Sequence, residues 1–127
     1  MTVLPKILHV EDDPDIREIA RLALEVIGGL TVEQCETGTE ALARVSDVAP
    51  DLLLLDMFMP DMNGVETLNA IRALPGCDGI PAIFMTARAQ IQEQSELLKE
   101  GAIAVISKPF DAMTLAQEIL DIWQGLG

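Results

Sequence analysis

The 127-residue chain carries 21 Asp and Glu against 8 Lys and Arg, a net charge of −13, and half of its residues are apolar. That length predicts one domain, that apolar fraction excludes a disordered chain, and that charge repels nucleic-acid phosphates and anionic lipid surfaces alike. With three Phe, one Trp and no Tyr the chain also lacks base-stacking platforms, so no direct nucleic-acid or membrane binding is expected.

The first strand is predicted over Ile7 to Val10 and ends in Glu11-Asp12-Asp13-Pro14, where Pro14 suits the first turn of a helix. Ile16, Ala20, Ala23, Leu24 and Ile27 then recur at helical spacing until Gly28-Gly29. Leu30 to Cys35 alternates only partly, as an edge strand does. Thr37 and Glu40 have capping-box spacing and open a second helix with Ala41, Leu42 and Val45 inward. The four leucines Leu52 to Leu55 read as a strand buried on both faces, and the run stops abruptly at Asp56. Asn63 caps a third helix (Val65, Leu68, Ile71, Leu74) closed by Pro75-Gly76. A fourth strand follows from Ile80 to Met85, ending at Thr86-Ala87. The fourth helix carries Ile91, Leu97 and Leu98 as far as Gly101. The fifth strand runs from Ala102 to Ile106 and ends at Ser107-Lys108-Pro109. Asp111 is expected to cap a fifth helix with Ala116, Ile119, Leu120 and Trp123 on one face; a second apolar row (Leu115, Ile122, Leu126) reads either as ordinary surface or as a partner face.

Strands alternating with helices at this spacing predict an α/β protein, three layers built on a parallel five-stranded sheet. No domain boundary appears, so residues 1–127 read as a single domain with no output domain. The termini show neither a signal peptide nor a membrane span, which points to the cytoplasm. Cys35 and Cys77, far apart and outside any CxxC pattern, read as reduced, semi-buried thiols.

Strand ends carry the chemistry. Glu11 and Asp12 follow the first strand, Asp56 the third, Thr86 the fourth and Lys108 the fifth. In the flavodoxin-like strand order 2-1-3-4-5, the first and third strands are neighbours at the switch point where a cleft opens. Two carboxylates about 4 Å apart repel by roughly 4 kcal/mol at an effective dielectric of 20, or about three pKa units. Three such groups stay ionised near neutrality only beside a cation, and hard oxygen donors in an incomplete cage suit Mg²⁺. Carboxylate, dication, lysine and hydroxyl together are what phosphoryl transfer to an aspartate requires.

Glu11-Asp12, Asp56 in DMFMP, Thr86-Ala87 and Lys108-Pro109-Phe110 resemble, in order and spacing over nearly the whole chain, the motifs of response regulator receiver domains, the CheY-like modules of two-component signalling. The resemblance implies that Asp56 is the phosphoacceptor and that Asp12, Asp56 and the backbone carbonyl of Phe58 hold Mg²⁺, with Glu11 acting through water. It implies that Thr86 couples phosphorylation to a conformational change, and that Lys108 pairs with the phosphoryl group beside a cis Lys108–Pro109 bond. The partners implied are a sensor histidine kinase or histidine phosphotransfer protein and a downstream effector. A surface on the fourth helix, fifth strand and fifth helix would respond, in a monomer or a weak phosphorylation-dependent dimer. Val105 stands where the family often has Tyr or Phe, so no aromatic ring is present to swing. Phe58 and Arg88 occupy variable positions that in the family influence dephosphorylation.

Bland readings compete at each residue. A lone aspartate after a strand is usually a cap, as Asp13 is read here, and a lone lysine before proline is usually solvated surface. His9 reads as a hydrogen-bonded packing residue, and Met57, Met59, Met62 and Met85 as core and cleft lining. Four rivals remain: a receiver cut from a hybrid kinase or longer regulator, a Mg²⁺-dependent aspartyl-phosphate phosphohydrolase, a flavodoxin, and a receiver that signals without phosphorylation, against which the complete set of site residues argues. Phe58 stands where haloacid-dehalogenase-like hydrolases place their second acid, and Glu11-Asp12-Asp13 would repel a flavin phosphate.

Overall fold

The computed structural model describes residues 4–87 and 91–126, the side chains of residues 91 and 92 excepted. Its elements in chain order are β1 (Lys6–Val10), α1 (Pro14–Arg21, continued as a π-helical segment Leu22–Ile27), β2 (Thr31–Cys35), α2 (Gly38–Val48), β3 (Leu52–Asp56), α3 (Gly64–Arg72), β4 (Ala82–Thr86), α4 (Ile91–Lys99), β5 (Ala104–Ser107) and α5 (Leu115–Gln124). The strands pair in parallel in the order β2-β1-β3-β4-β5, as expected.

The leucine run explains the layering. Successive strand residues point to opposite faces, so Leu53 and Leu55 pack with Leu8, Val10 and Phe84 against Ala41 and Val45 of α2 and Leu68 and Ile71 of α3. Leu52 and Leu54 point the other way, with Ile7, Ile83, Met85 and Ile106, onto Ala23, Leu24, Leu115 and Ile119. Each fully buried leucine stabilises the fold by about 1.5–3 kcal/mol, enough together to hold a carboxylate at the strand's end. Both cysteines are buried and free, and burial pushes the Cys35 thiol up to about 11.

Capping follows the sequence with two changes, and one strand starts later than expected. Asn63 and Glu66 form the complete reciprocal box at α3. At α2 the Thr37 hydroxyl accepts from the Glu40 amide at 3.0 Å, but Glu40 reaches past Thr37 to the amide of Glu36 at 2.6 Å. Asp111 caps a lead-in turn rather than the helix: its carboxylate accepts from the Met113 amide at 2.8 Å, and regular α5 begins only at Leu115. Strand β4 starts two residues after Ile80, because Pro81 has no N–H for the ladder.

Three apolar assignments are corrected. Ile27 is 47% exposed, because the wider π-helical turn rotates it outward and brings Gly28 against α5, where an added Cβ would overlap the Cβ of Ala116. Leu98 is exposed while Leu97 packs on the core. On α5 the supposed second row is largely core: Leu115 is fully buried, Ile122 packs partly, and only Leu126 is exposed. The inward placement expected of Ile91 lies outside the described side chains.

Candidate functional site

The strand register brings the carboxyl ends together. Val10 pairs with Leu55, so Glu11 follows alongside Asp56, and the Glu11 amide extends the sheet by bonding the Cys35 carbonyl at 3.0 Å. Behind Asp56, Gly64 packs so closely that a Cβ there would lie 2.8 Å from the Asp56 carbonyl. From the far edge, Lys108 is tied to β4 by its amide bond to the Thr86 carbonyl at 2.9 Å. Asp12, Glu11 and Asp56 each offer a carboxylate oxygen, all within 4.8 Å of one another.

Lys108 reaches from the end of β5 into this cluster. Its Nζ bridges the acids, 2.5 Å from Glu11 Oε1 and 3.1 Å from Asp56 Oδ1. Glu11 and Asp56 are buried, whereas Asp12 is exposed at the rim. Burial pushes the Glu11 carboxyl up to about 7, the hydrogen bond from Lys108 opposes that rise, and the charge of Asp56 adds to it. Burial works against the Lys108 ammonium too, but its bonds to Glu11 and Asp56 outweigh it and hold its pKa above the ordinary value.

Charge counting tests the fit of a metal. Three ionised carboxylates and one ammonium leave the crevice two charges short of neutrality. Hard oxygens with a residual charge of about −2 match a divalent cation of the Mg²⁺ type. The crevice has a volume of about 270 Å³ and is lined by Glu11, Asp12, Asp56, Phe58, Ala87 and Lys108 among others. Thr86 is buried and lines a neighbouring cavity of about 280 Å³ with Met57, Phe58, Glu93, Glu96 and Leu97. Arg88 lies outside the described residues. Val105 is partly buried on β5, in register with Phe84, and the Lys108–Pro109 bond is cis as expected.

His9 is the packing residue it was read to be. It is fully buried, its Nδ1 lies 3.1 Å from the Gln34 amide, and its Nε2 has no partner among the described residues. Burial lowers its pKa to about 3, aided by the charges of Lys108 and Arg17. Met85 is core on one face of the sheet, and Met57 and Met59 pack partly against the cluster on the other. Asp13 is the N-cap of α1, accepting from the amides of Asp15 and Ile16.

Two polar residues near the site escaped sequence reasoning. Arg17 Nη1 donates to the carbonyls of Glu11 at 2.9 Å and Asp12 at 3.0 Å. Asp61, in the loop after β3, accepts from the Thr39 hydroxyl at 2.6 Å and amide at 3.0 Å, which lowers its pKa to about 2. It thereby ties the Phe58 loop to the start of α2. An arginine one turn into a helix whose preceding loop is acidic is the signal that could have pointed to Arg17; nothing local marks Asp61.

A family model described as "Response regulator receiver domain" matches residues 7–120. The chain is 37% identical over 109 residues to the "Uncharacterized 14.6 kDa protein in sodA1 3'region" of Leptolyngbya boryana, covering 86% of this chain and 82% of that protein. It is 34% identical over 117 residues to the phosphate regulon transcriptional regulatory protein PhoB of Rhizobium meliloti, covering 92% of this chain and 51% of PhoB. Against the transcriptional regulators it matches, the chain spans about half of their length. The structure of chemotaxis protein CheY4 of Vibrio cholerae aligns with a TM-score of 0.85 at 28% identity, covering 94% of this chain and 99% of that one.

Proposed function

Since the chain belongs to the response regulator receiver domain family of two-component signalling, we propose that it is a phosphorylation switch whose phosphoacceptor is Asp56. The observation that carries this reading is the Lys108 ammonium bridging buried Glu11 and Asp56 beside Asp12, at the carboxyl edge of the sheet. A histidine kinase or phosphotransfer protein presents phosphohistidine. An Asp56 oxygen forms the new O–P bond as the N–P bond breaks, and the imidazole leaves with the electron pair.

Each residue has a task in that transfer. Glu11, Asp12 and Asp56, with the Phe58 carbonyl, would hold Mg²⁺, which when bound neutralises charge on the transferring phosphoryl oxygens. Lys108 exchanges its bond to Asp56 for one to a phosphoryl oxygen, keeping positive charge on the group as it arrives. Ile16, Ile19, Pro109 and Phe110 line an apolar cavity of about 450 Å³ that shares Lys108 with the crevice and gives the donor protein a place to rest. Because Thr86 and Lys108 are joined by a main-chain bond, a shift of either moves the ends of β4 and β5 together. The α4–β5–α5 surface is where an effector would read that shift, through loop and Thr86 movement rather than an aromatic ring at Val105.

The test is phosphate uptake from acetyl phosphate, followed by intact mass. Wild-type protein should gain one phosphoryl group in Mg²⁺ and none in EDTA, and Asp56→Asn should gain none in either. Uptake by Asp56→Asn at the wild-type rate would remove the assignment.

A further inference from the structure

Arg17 spends its guanidinium on the main chain of the acidic loop. A single nitrogen, Nη1, donates to two successive carbonyls, Glu11 O at 2.9 Å and Asp12 O at 3.0 Å. Those two residues carry two of the three clustered carboxylates. The arginine is itself well anchored: its side chain is only 18% exposed, its amide bonds the Asp13 carbonyl, and its own carbonyl accepts from the Gln34 side chain at 2.8 Å. Its ion pair with Glu36 spans 3.6 Å to a side chain 70% exposed, too solvated to be the reason for this placement.

The need for such an anchor differs between the two acids. Glu11 is fixed by its own contacts, since its carboxylate meets Lys108 and the Asp13 amide. Asp12 is exposed, and its carboxylate has no hydrogen-bond partner among the described residues, so its aim depends on the peptide planes that Arg17 holds. We infer that Arg17 is a positioning residue for the cation site, gripping the Glu11–Asp12 backbone so that the rim carboxylate of Asp12 faces Asp56 before a divalent cation arrives. This rests on the reading of the crevice as a Mg²⁺ site.

Clamp and charge make opposite predictions. A cation beside a cation site repels the ligand, so if Arg17 acted by charge alone its removal would tighten Mg²⁺ binding. If it acts by holding the loop, removal weakens binding, by about 10-fold or more on the scale of supporting groups around metal sites. Calorimetric Mg²⁺ titration of wild type, Arg17→Gln, Arg17→Lys and Asp12→Asn separates the cases, with urea unfolding in EDTA as a check on the fold. The expected result is weaker binding in Arg17→Gln with its metal-free fold retained, and partial recovery in Arg17→Lys, whose ammonium can still donate to the carbonyls. Equal or tighter binding in Arg17→Gln overturns the inference, as does a weakening that merely tracks loss of the native fold. Wild type that binds no Mg²⁺, or Asp12→Asn that binds as well as wild type, removes the metal-site reading itself and this inference with it.

Discussion

Glu11 should make the metal-free protein less stable as the pH rises, and Glu11→Gln should abolish that dependence. Burial raises the Glu11 carboxyl from its ordinary 4.5 to about 7, against the pull of Lys108. A folded-state pKa above the unfolded one means that the native state holds the proton more tightly. The stabilisation is therefore complete below pH 4.5 and is lost as the pH climbs through about 7. At about 1.4 kcal/mol per pKa unit, the gap between 4.5 and about 7 corresponds to about 3 kcal/mol. Water at the open mouth of the crevice screens part of this, leaving about 1–2 kcal/mol. Urea unfolding followed by Trp123 fluorescence, in EDTA from about pH 5 to about pH 8, measures it as the difference between wild type and Glu11→Gln. Taking the difference matters, because His9 titrates with the opposite sign over part of that range and cancels between the two proteins. The variant should gain on wild type by about 1–2 kcal/mol across the series, and Mg²⁺ should return wild type toward its acid-side stability by mass action. A difference that stays constant with pH would show that Glu11 is ionised throughout and that burial does not raise its carboxyl.

Two further outcomes follow from the packing. His9, the single histidine of the chain, should show ring proton shifts that stay constant from about pH 8 to about pH 5. Its neutral form fits because the Gln34 amide donates to both the Arg17 carbonyl and His9 Nδ1, a lone pair that protonation would remove. Its lowered pKa adds stability that is present above about 6.5 and lost as the pH falls toward about 3; a titration midpoint near 6.5 would contradict the buried network. Gly28→Ala should cost about 1–3 kcal/mol in urea unfolding, because the new methyl overlaps Ala116 and comes within 2.8 Å of the Leu24 carbonyl. Adding Ala116→Gly should restore part of that loss, whereas additive effects of the two changes would mean that they do not meet.

Much of the site was legible because its members sit at strand ends. Four leucines followed by aspartate announce both a central strand and a residue delivered to its rim, and Glu11 after Val10 announces the same for the neighbouring strand. The registers Val10 with Leu55 and Thr86 with Ser107 then follow from parallel pairing in the expected order. Less was legible where an apolar residue had two possible neighbours. Leu115 looked like spare surface on α5 because period alone does not reveal how wide a stripe α1 and the sheet will cover. Ile27 looked buried because the expectation assumed 3.6 residues per turn, and the π-helical segment has more.

Element order and the delivery of Glu11, Asp12, Asp56 and Lys108 to strand ends were determined by the sequence alone, because hydrophobic period, caps and strand ends are properties of short stretches. The tertiary structure decided which charge answers which. Lys108 reaches back 97 residues to share its proton donors between Glu11 and Asp56, and Arg17 turns from solvent to grip the loop that carries Asp12. Those choices are settled by distance and desolvation among groups far apart in the chain. Coulomb energy depends on separation in space and on exposure to water, and residue spacing encodes neither.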